Sequence, residues 1–409
     1  MTSSVKNLQS LYIHIPFCVS KCHYCDFNSI GLGAASVPEK TYCEALSREL
    51  GFWREILHHE LKGSMGTIFF GGGTPSLFSA EGIEDILTQA RKVLPFSPAA
   101  EITLEMNPKT AHREKMLGFL KAGVNRLSIG VQTLKPSILK QLSRAHDAAD
   151  ALHALEWAYE VNFPRINIDL MYGLPEQTRE DLKATFAELR VFPLKHLSAY
   201  ELIVEEGTPF YDRYFQGRLP LPELPDVLAM RDAIQEFASN KGMEAYEVSN
   251  YASPGHESRH NGAYWNYDSF VGLGAGAVSF LRDSEIHPEF SRRLAPSPGE
   301  EIYAWRITNP RALADYQGRE SFAEGADFEA IDFKTAMGEF MMMGLRRREG
   351  ISFEAFEGKF SRPFPDCYRE IIARAARRGW MVVDARGGHF TEAGLLLSNE
   401  VLQEFLPAD

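Results

Sequence analysis

Leu11 to Asn28 reads LYIHIPFCVSKCHYCDFN, an apolar, strand-like run followed at once by three cysteines, Cys18, Cys22 and Cys25. The C-x3-C-x2-C spacing suits one loop wrapped around one inorganic cluster. Zinc sites take four nitrogen or sulfur ligands, commonly from paired C-x2-C units, whereas iron–sulfur clusters are held by thiolates from a compact loop. Three cysteines can hold three irons of a [4Fe–4S] cube and leave the fourth open, and an open metal position is where chemistry can happen. Two blander readings compete: buried core thiols, or half of a zinc site completed by His14 or His23. Lys21, His23 and Asp26 interrupt the segment and argue against the first. The remaining cysteines, Cys43 and Cys367, are isolated, and no second C-x2-C pair exists.

The chain has 409 residues, a formal net charge of −12 and five cysteines. That length allows one large and one small domain. The acidity excludes a general nucleic-acid or anionic-membrane binder. The odd cysteine count, three of them crowded together, does not suggest a disulfide framework. No run of about 18 apolar residues occurs, so an integral membrane protein is not expected, while peripheral contact stays open. The start, MTSSVKNLQS, lacks the apolar stretch of a signal peptide, and a cytoplasmic location is expected.

Beyond the cysteines the pattern alternates. A helix is expected from Pro38 to about Glu60, with Ser36 a candidate cap, then a strand Thr67–Phe70 entering Gly71-Gly72-Gly73-Thr74-Pro75. Further strands are read at Ile102–Glu105, Arg126–Ile129, Ile166–Leu170, His196–Leu202 and Glu244–Val248. Helices such as Ala80–Val93, Glu114–Ala122 and Ala148–Val161 separate them. Six or seven such units predict an α/β fold with a parallel sheet, in a barrel or partial barrel. Function in such barrels gathers at the carboxyl ends of strands. Cys18, Gly72, Glu105, Gln132 and Asp169 each fall at or just beyond one. The glycines remove side chains where backbone must approach a ligand.

On these residues the chain resembles the radical S-adenosylmethionine superfamily, and the Tyr-x-His-Ile-Pro-Phe lead-in resembles its oxygen-independent coproporphyrinogen III oxidase group. The resemblance implies an incomplete (β/α)6 barrel of the TIM type. It also implies a [4Fe–4S] cluster on Cys18, Cys22 and Cys25, and S-adenosylmethionine chelated by its open iron. One electron from the cluster then cleaves the sulfonium to a 5′-deoxyadenosyl radical. Gly72, Gly73 and Thr74 match the turn that meets the cofactor's amino group. Glu105 matches an acid beside its nucleoside, and Gln132, Arg144 and Asp169 match pocket positions. Tyr12 and Tyr24 match residues beside cofactor and cluster. Taken singly, each has a structural reading: Glu105 a helix cap, Gln132 a turn residue, Arg144 a solvated charge, Asp169 a buried hydrogen-bonding group, Tyr24 a core aromatic.

Asn250 to Phe280 changes character. Gly272-Leu273-Gly274-Ala275-Gly276 lacks the spacing of a dinucleotide loop and is read as a close-packed turn. His260-Asn261-Gly262-Ala263-Tyr264-Trp265 pairs an imidazole, a usual axial ligand of haem iron, with aromatic rings. It resembles the haem-binding motif of the group's haem chaperone branch. Residues 281–326, with Pro288, Pro296, Pro298 and Pro310, read as a linker region after a barrel at 1–280. Residues 327–409 read as helices Phe333–Arg348, Phe353–Phe360 and Cys367–Gly379, then a hairpin of Trp380–Asp384 with His389–Thr391. This is a small winged-helix-like α+β domain.

Two branches of the group remain. The oxidase branch typically has another cysteine two residues after the third, where this chain has Phe27, and a longer segment before the cysteines. Both departures, with His260, favour a haem chaperone that passes haem to an acceptor protein, with a reductant such as flavodoxin or ferredoxin. The alternative is a coproporphyrinogen III dehydrogenase-type oxidoreductase, so whether the protein is an enzyme stays open.

Overall fold

The computed structural model describes residues 10–57, 64–294 and 301–407. Six strand–helix units come first: β1 (Ser10–Ile15) and α1 (Glu39–Ile56), β2 (Met65–Gly72) and α2 (Ala80–Val93), β3 (Phe96–Met106) and α3 (Arg113–Ala122), β4 (Arg126–Gln132) and α4 (Ala148–Glu160), β5 (Arg165–Tyr172) and α5 (Arg179–Leu189), β6 (His196–Glu201) and α6 (Leu224–Asn240). Then follow β7 (Asn250–Ala252), α7 (Arg259–Trp265), β8 (Phe270–Leu273), β9 (Val278–Arg282), β10 (Ile302–Thr308) and β11 (Asp327–Asp332).

These strands form one sheet ordered β11-β10-β9-β8-β1-β2-β3-β4-β5-β6-β7, extended at the β7 edge by Glu244–Ala245. Every pairing from β8 through β6 is parallel. Both flanks are antiparallel. Alternate residues explain which way each strand faces. Leu11, Ile13, Ile68, Phe70, Ile102, Leu104, Leu127, Ile129, Ile168 and Leu197 are buried in the core cluster that holds Leu46, Trp53, Ile83, Leu87, Phe119 and Leu155 of the covering helices. The intervening residues, including Thr103, Ser128, Asn167, Asp169, His196 and Ser198, line one cavity. Side chains of five successive strands reach that cavity, so the sheet is curved into a partial barrel with a polar interior.

Local signals set the helix starts. Ser79 caps α2 by accepting from Gly82 N–H (3.0 Å), and reciprocal capping boxes, Asp147 with Asp150 and Thr178 with Asp181, begin α4 and α5. The Ser36 cap is not formed: α1 starts after Pro38 with no side-chain cap. Residues 58–60, the end expected for that helix, lie outside the described residues, as do Pro296 and Pro298.

Three expectations differ from the structure. Glu244–Val248 is not a further parallel strand. Its first two residues turn back antiparallel beside β7. The seventh parallel strand is β8, on the other side of β1, hidden in the glycine-rich run. Gly272 lies within it, where a Cβ would stand 2.1 Å from the Val278 carbonyl, and the close-packed turn follows at Gly274 and Gly276, both at positive φ. The stretch 281–326 is more than a connection, because β10 pairs with both β9 and β11 and buries Trp305. Prolines mark its ends, but the alternating IYAWRIT between them is a strand.

The last part follows the expected order. It comprises α8 (Phe333–Gly344), β12 (Ile351–Ser352), α9 (Phe353–Phe360), α10 (Phe364–Arg377), and a hairpin of β13 (Met381–Val383) and β14 (Gly387–Phe390), with β14 central in a three-stranded sheet. A separate aromatic core of Phe340, Phe356, Phe360, Phe364 and Tyr368 holds it together, as in a winged-helix-like α+β domain.

Candidate cofactor site at the carboxyl end of the barrel

Directly after β1 the cysteine loop is tied at both ends. Phe17–Cys18 pairs with Ile30–Gly31, Ile30 N–H donates to the Pro16 carbonyl (2.7 Å), and Leu32 N–H to that of Cys18 (2.8 Å). His14 accepts from the Tyr12 hydroxyl at Nδ1 (3.0 Å) and donates from Nε2 to the Asn28 carbonyl (2.8 Å). His23 donates from Nδ1 to the Gln141 carbonyl (3.0 Å). His14 thus has both ring nitrogens engaged, whereas at His23 the bond takes up Nδ1 alone. Among the described residues no group of three or more His, Cys, Asp or Glu is set around a single metal ion.

Cys18, Cys22 and Cys25 instead line one cavity of about 460 Å³. Burial pushes the Cys18 and Cys25 thiols upward, so their thiolates call for a positive partner. Thr74 Oγ1 donates to Cys18 Sγ (3.5 Å) and Arg144 Nη1 to Cys22 Sγ (3.7 Å). A partly buried trio of thiols with hydrogen-bond donors to sulfur fits an iron–sulfur cluster.

The residues around the thiols come from successive strand ends. Gly72, at φ +111°, could carry no Cβ without meeting the His14 ring at 2.5 Å, and a Cβ on Gly73 would stand 3.0 Å from Cys18 Sγ. Gly72 N–H donates to Glu105 Oε2 (3.1 Å). Burial first, and then the nearby Asp169 carboxylate, push Glu105 up to about 8 against that bond. Asp169 is also raised by burial, although Ser128 Oγ (2.8 Å) and Asn167 Nδ2 (2.8 Å) donate to its oxygens.

Gln132 sits at a break in the β4–β5 register with φ +62°, a strained position for a non-glycine residue and one that turns its amide to the cavity. Arg144 donates from Nη2 to the Gly130 carbonyl (2.8 Å), and its buried Nε has no hydrogen-bond partner among the described residues. Burial alone would lower Arg144, but Tyr24 and Cys22 beside it outweigh that and raise it. Tyr24 also lines the cavity, so neither residue is a solvated or purely core side chain. Tyr12 bonds His14 and lines a neighbouring crevice with Gly72 and Glu105.

Beneath Asp169 lies a set the sequence reading missed. Asn167 Nδ2 shares its two N–H donors among Asp169 Oδ1, Ser128 Oγ (2.7 Å) and Ser198 Oγ (3.0 Å), while its Oδ1 accepts from His196 Nδ1 (2.5 Å). The signal was present as polar residues two apart in Asn167-Ile168-Asp169 and His196-Leu197-Ser198, which places them on the inner face.

His260 stands apart from this site. It is 1% exposed, stacked on Phe69 with ring centroids 5.0 Å apart, and bonded to Thr67 Oγ1 (2.9 Å) and the Tyr264 hydroxyl (2.9 Å). Burial lowers it to about 3, so the ring is neutral, as a metal ligand must be. Tyr264 lines the crevice beside Gly72 and Glu105, whereas Trp265 lines a different cavity of about 640 Å³ with Arg259, Arg347 and Arg348.

A curved sheet of six strand–helix units with three thiols at the mouth defines the class: a radical S-adenosylmethionine protein. Residues 12–189 match the Radical SAM superfamily and residues 331–397 the HemN C-terminal domain. The solved structure of coproporphyrinogen III oxidase (HemN) from Escherichia coli superposes with a TM-score of 0.77, at 22% identity over 98% of this chain and 90% of that one, and so shares the fold. Among curated proteins, Heme chaperone HemW of Bacillus subtilis is 33% identical over 98% of this chain and 99% of its own length. That of Escherichia coli is 34% identical over 97% and 98%. The chain belongs to the HemW family. No helix among the described residues is long and apolar enough to cross a membrane.

Proposed function

We propose that the protein is a haem chaperone of the radical S-adenosylmethionine type, which binds haem and delivers it to haem-requiring acceptor proteins in the cytoplasm. The observation that carries this reading is similarity along nearly the whole chain to curated proteins named as haem chaperones. Phe27, in the position where the oxidase branch typically has a further cysteine, supports the same branch.

In this reading Cys18, Cys22 and Cys25 hold the [4Fe–4S] cluster. When bound, the cluster supplies an iron open to S-adenosylmethionine and an electron from a reductant such as flavodoxin or ferredoxin. The chain's own residues do the rest. Gly72 and Gly73 let backbone come close to the cofactor, and Thr74 and Arg144 donate toward the cysteine sulfurs. Glu105, Gln132 and Asp169 present polar groups to the nucleoside from the cavity wall. Tyr12 and Tyr24 flank the cavity, and His260 supplies a neutral imidazole to haem iron.

The test is a haem titration of anaerobically reconstituted protein, with His260→Ala beside it. Saturable binding that weakens at least ten-fold in the variant is expected. Absence of binding, together with release of carbon dioxide from coproporphyrinogen III, would replace the chaperone with the oxidase.

A further inference from the structure

His260 has no nitrogen free for a metal in the haem-free fold, and its hydrogen bonds say which one must be released. Thr67 Oγ1 donates its proton to Ser10 Oγ (3.0 Å), so the same oxygen can only accept from His260 Nδ1–H. With the proton on Nδ1, the lone pair lies on Nε2, and Nε2 accepts from the Tyr264 hydroxyl (2.9 Å). The nitrogen able to bind iron is therefore capped by Tyr264, and the donor nitrogen faces Thr67. Thr67 lines the 640 Å³ cavity on the Trp265 side, so approach from there meets an N–H.

Tyr264 lines the other opening, a crevice of about 440 Å³ walled by Tyr12, Phe270 and Phe27, with Arg311 at its edge. Asp26, Phe27, Gly72 and Glu105 belong both to this crevice and to the cofactor cavity. Phe27 is 57% exposed and adds an apolar wall to both openings.

Resting on the haem reading above, we propose that haem enters by this aromatic crevice and takes His260 Nε2 in exchange for the Tyr264 hydroxyl. Tyr264 is then a positioning residue that keeps the imidazole latent until haem arrives, and Thr67 fixes the tautomer. An Nδ1–H bond to an oxygen is the arrangement that orients a metal-binding imidazole. The exchange breaks one O–H···N bond and forms one iron–nitrogen bond, with no proton gained or lost by the ring.

The experiment titrates ferric haem into the reconstituted full-length protein and follows its absorption in the wild type, Tyr264→Phe and His260→Ala. Phenylalanine keeps the ring and removes the cap, so about five-fold tighter binding is expected, the worth of one hydrogen bond. Unchanged or weaker binding in Tyr264→Phe, with His260→Ala still defective, overturns the exchange and leaves the haem reading standing. Haem binding indifferent to His260→Ala overturns both. A second measurement needs no haem: nitrogen NMR of the His260 ring in the wild type is expected to show Nε2 unprotonated. A proton on Nε2 would overturn the assignment directly.

Discussion

Glu49, on a covering helix, and Glu105, at a strand end, are both carboxylates turned inward, and they are held in opposite ways. Glu49, on α1, accepts from Gly274 N–H (2.9 Å), Asn309 Nδ2 (2.7 Å) and the Tyr316 hydroxyl (2.7 Å), and is ion-paired with buried Arg319 (3.1 Å). Among the described residues Glu105 has one hydrogen bond, from Gly72, and a second carboxylate, Asp169, nearby. A carboxylate surrounded by donors and a cation is a structural fastener; here it ties α1 to the turn after β8 and to the stretch after β10. An undersatisfied carboxylate facing a cavity is a group waiting for a ligand. The same residue type thus marks a rigid joint between a covering helix and the sheet, and the working mouth.

The sharpest way to break this contrast is Glu49→Ala. Arg319 is 4% exposed and would be left buried without its partner, so unfolding free energy is expected to drop by about 3–5 kcal/mol. Denaturant unfolding measures it, and a loss under 1 kcal/mol would remove the fastener role.

Glu105→Gln is expected to act through pH. Because the folded carboxyl titrates near 8 and the unfolded one near 4.3, the folded state holds the proton more tightly. Its contribution is complete below the unfolded value and is lost as pH rises through about 8. The cofactor-free wild type should therefore lose on the order of 4 kcal/mol relative to Glu105→Gln between pH 5 and pH 9. Thermal melts across that range check it; parallel curves for the two proteins would contradict it.

The smallest effect is at Gln132. Its φ of +62° is strained for a side chain, so Gln132→Gly is expected to stabilise the empty protein by up to about 1 kcal/mol while weakening S-adenosylmethionine binding. A variant that is destabilised yet binds normally would mean that the conformation serves packing instead of the site.

How much was legible in the sequence follows the same line between joint and mouth. The strand–helix alternation could be read because apolar residues alternate on the strands and recur at helical spacing between them; α2 and α9 fall on their expected residues. Cys18, Gly72, Glu105, Gln132 and Asp169, read from their positions at strand ends, share one cavity with Arg144, which only the family resemblance pointed to. What escaped depended on partners far along the chain. β8 is four residues, Phe270–Leu273, interrupted by Gly272 and running into Gly274 and Gly276, too short to stand out as a strand, and it exists because β1 and β9 offer it pairing. β10 hides between prolines, and Glu49 looks like an ordinary helix-surface acid until Asn309, Tyr316 and Arg319 reach it. Likewise nothing local in His260-Asn261 tells that Thr67 and Tyr264 occupy both ring nitrogens.

The central claim is that three thiols at the barrel mouth hold one cluster with an iron left open. Iron and sulfide analysis of anaerobically reconstituted protein, alongside Cys18→Ala, Cys22→Ala and Cys25→Ala, tests it most directly, with the reduced cluster's electron paramagnetic resonance recorded before and after S-adenosylmethionine is added. The account expects about four irons and four sulfides per wild-type chain, loss in each variant, and a spectrum that shifts with S-adenosylmethionine. Wild-type protein without iron, or cluster content indifferent to the three substitutions, would contradict it.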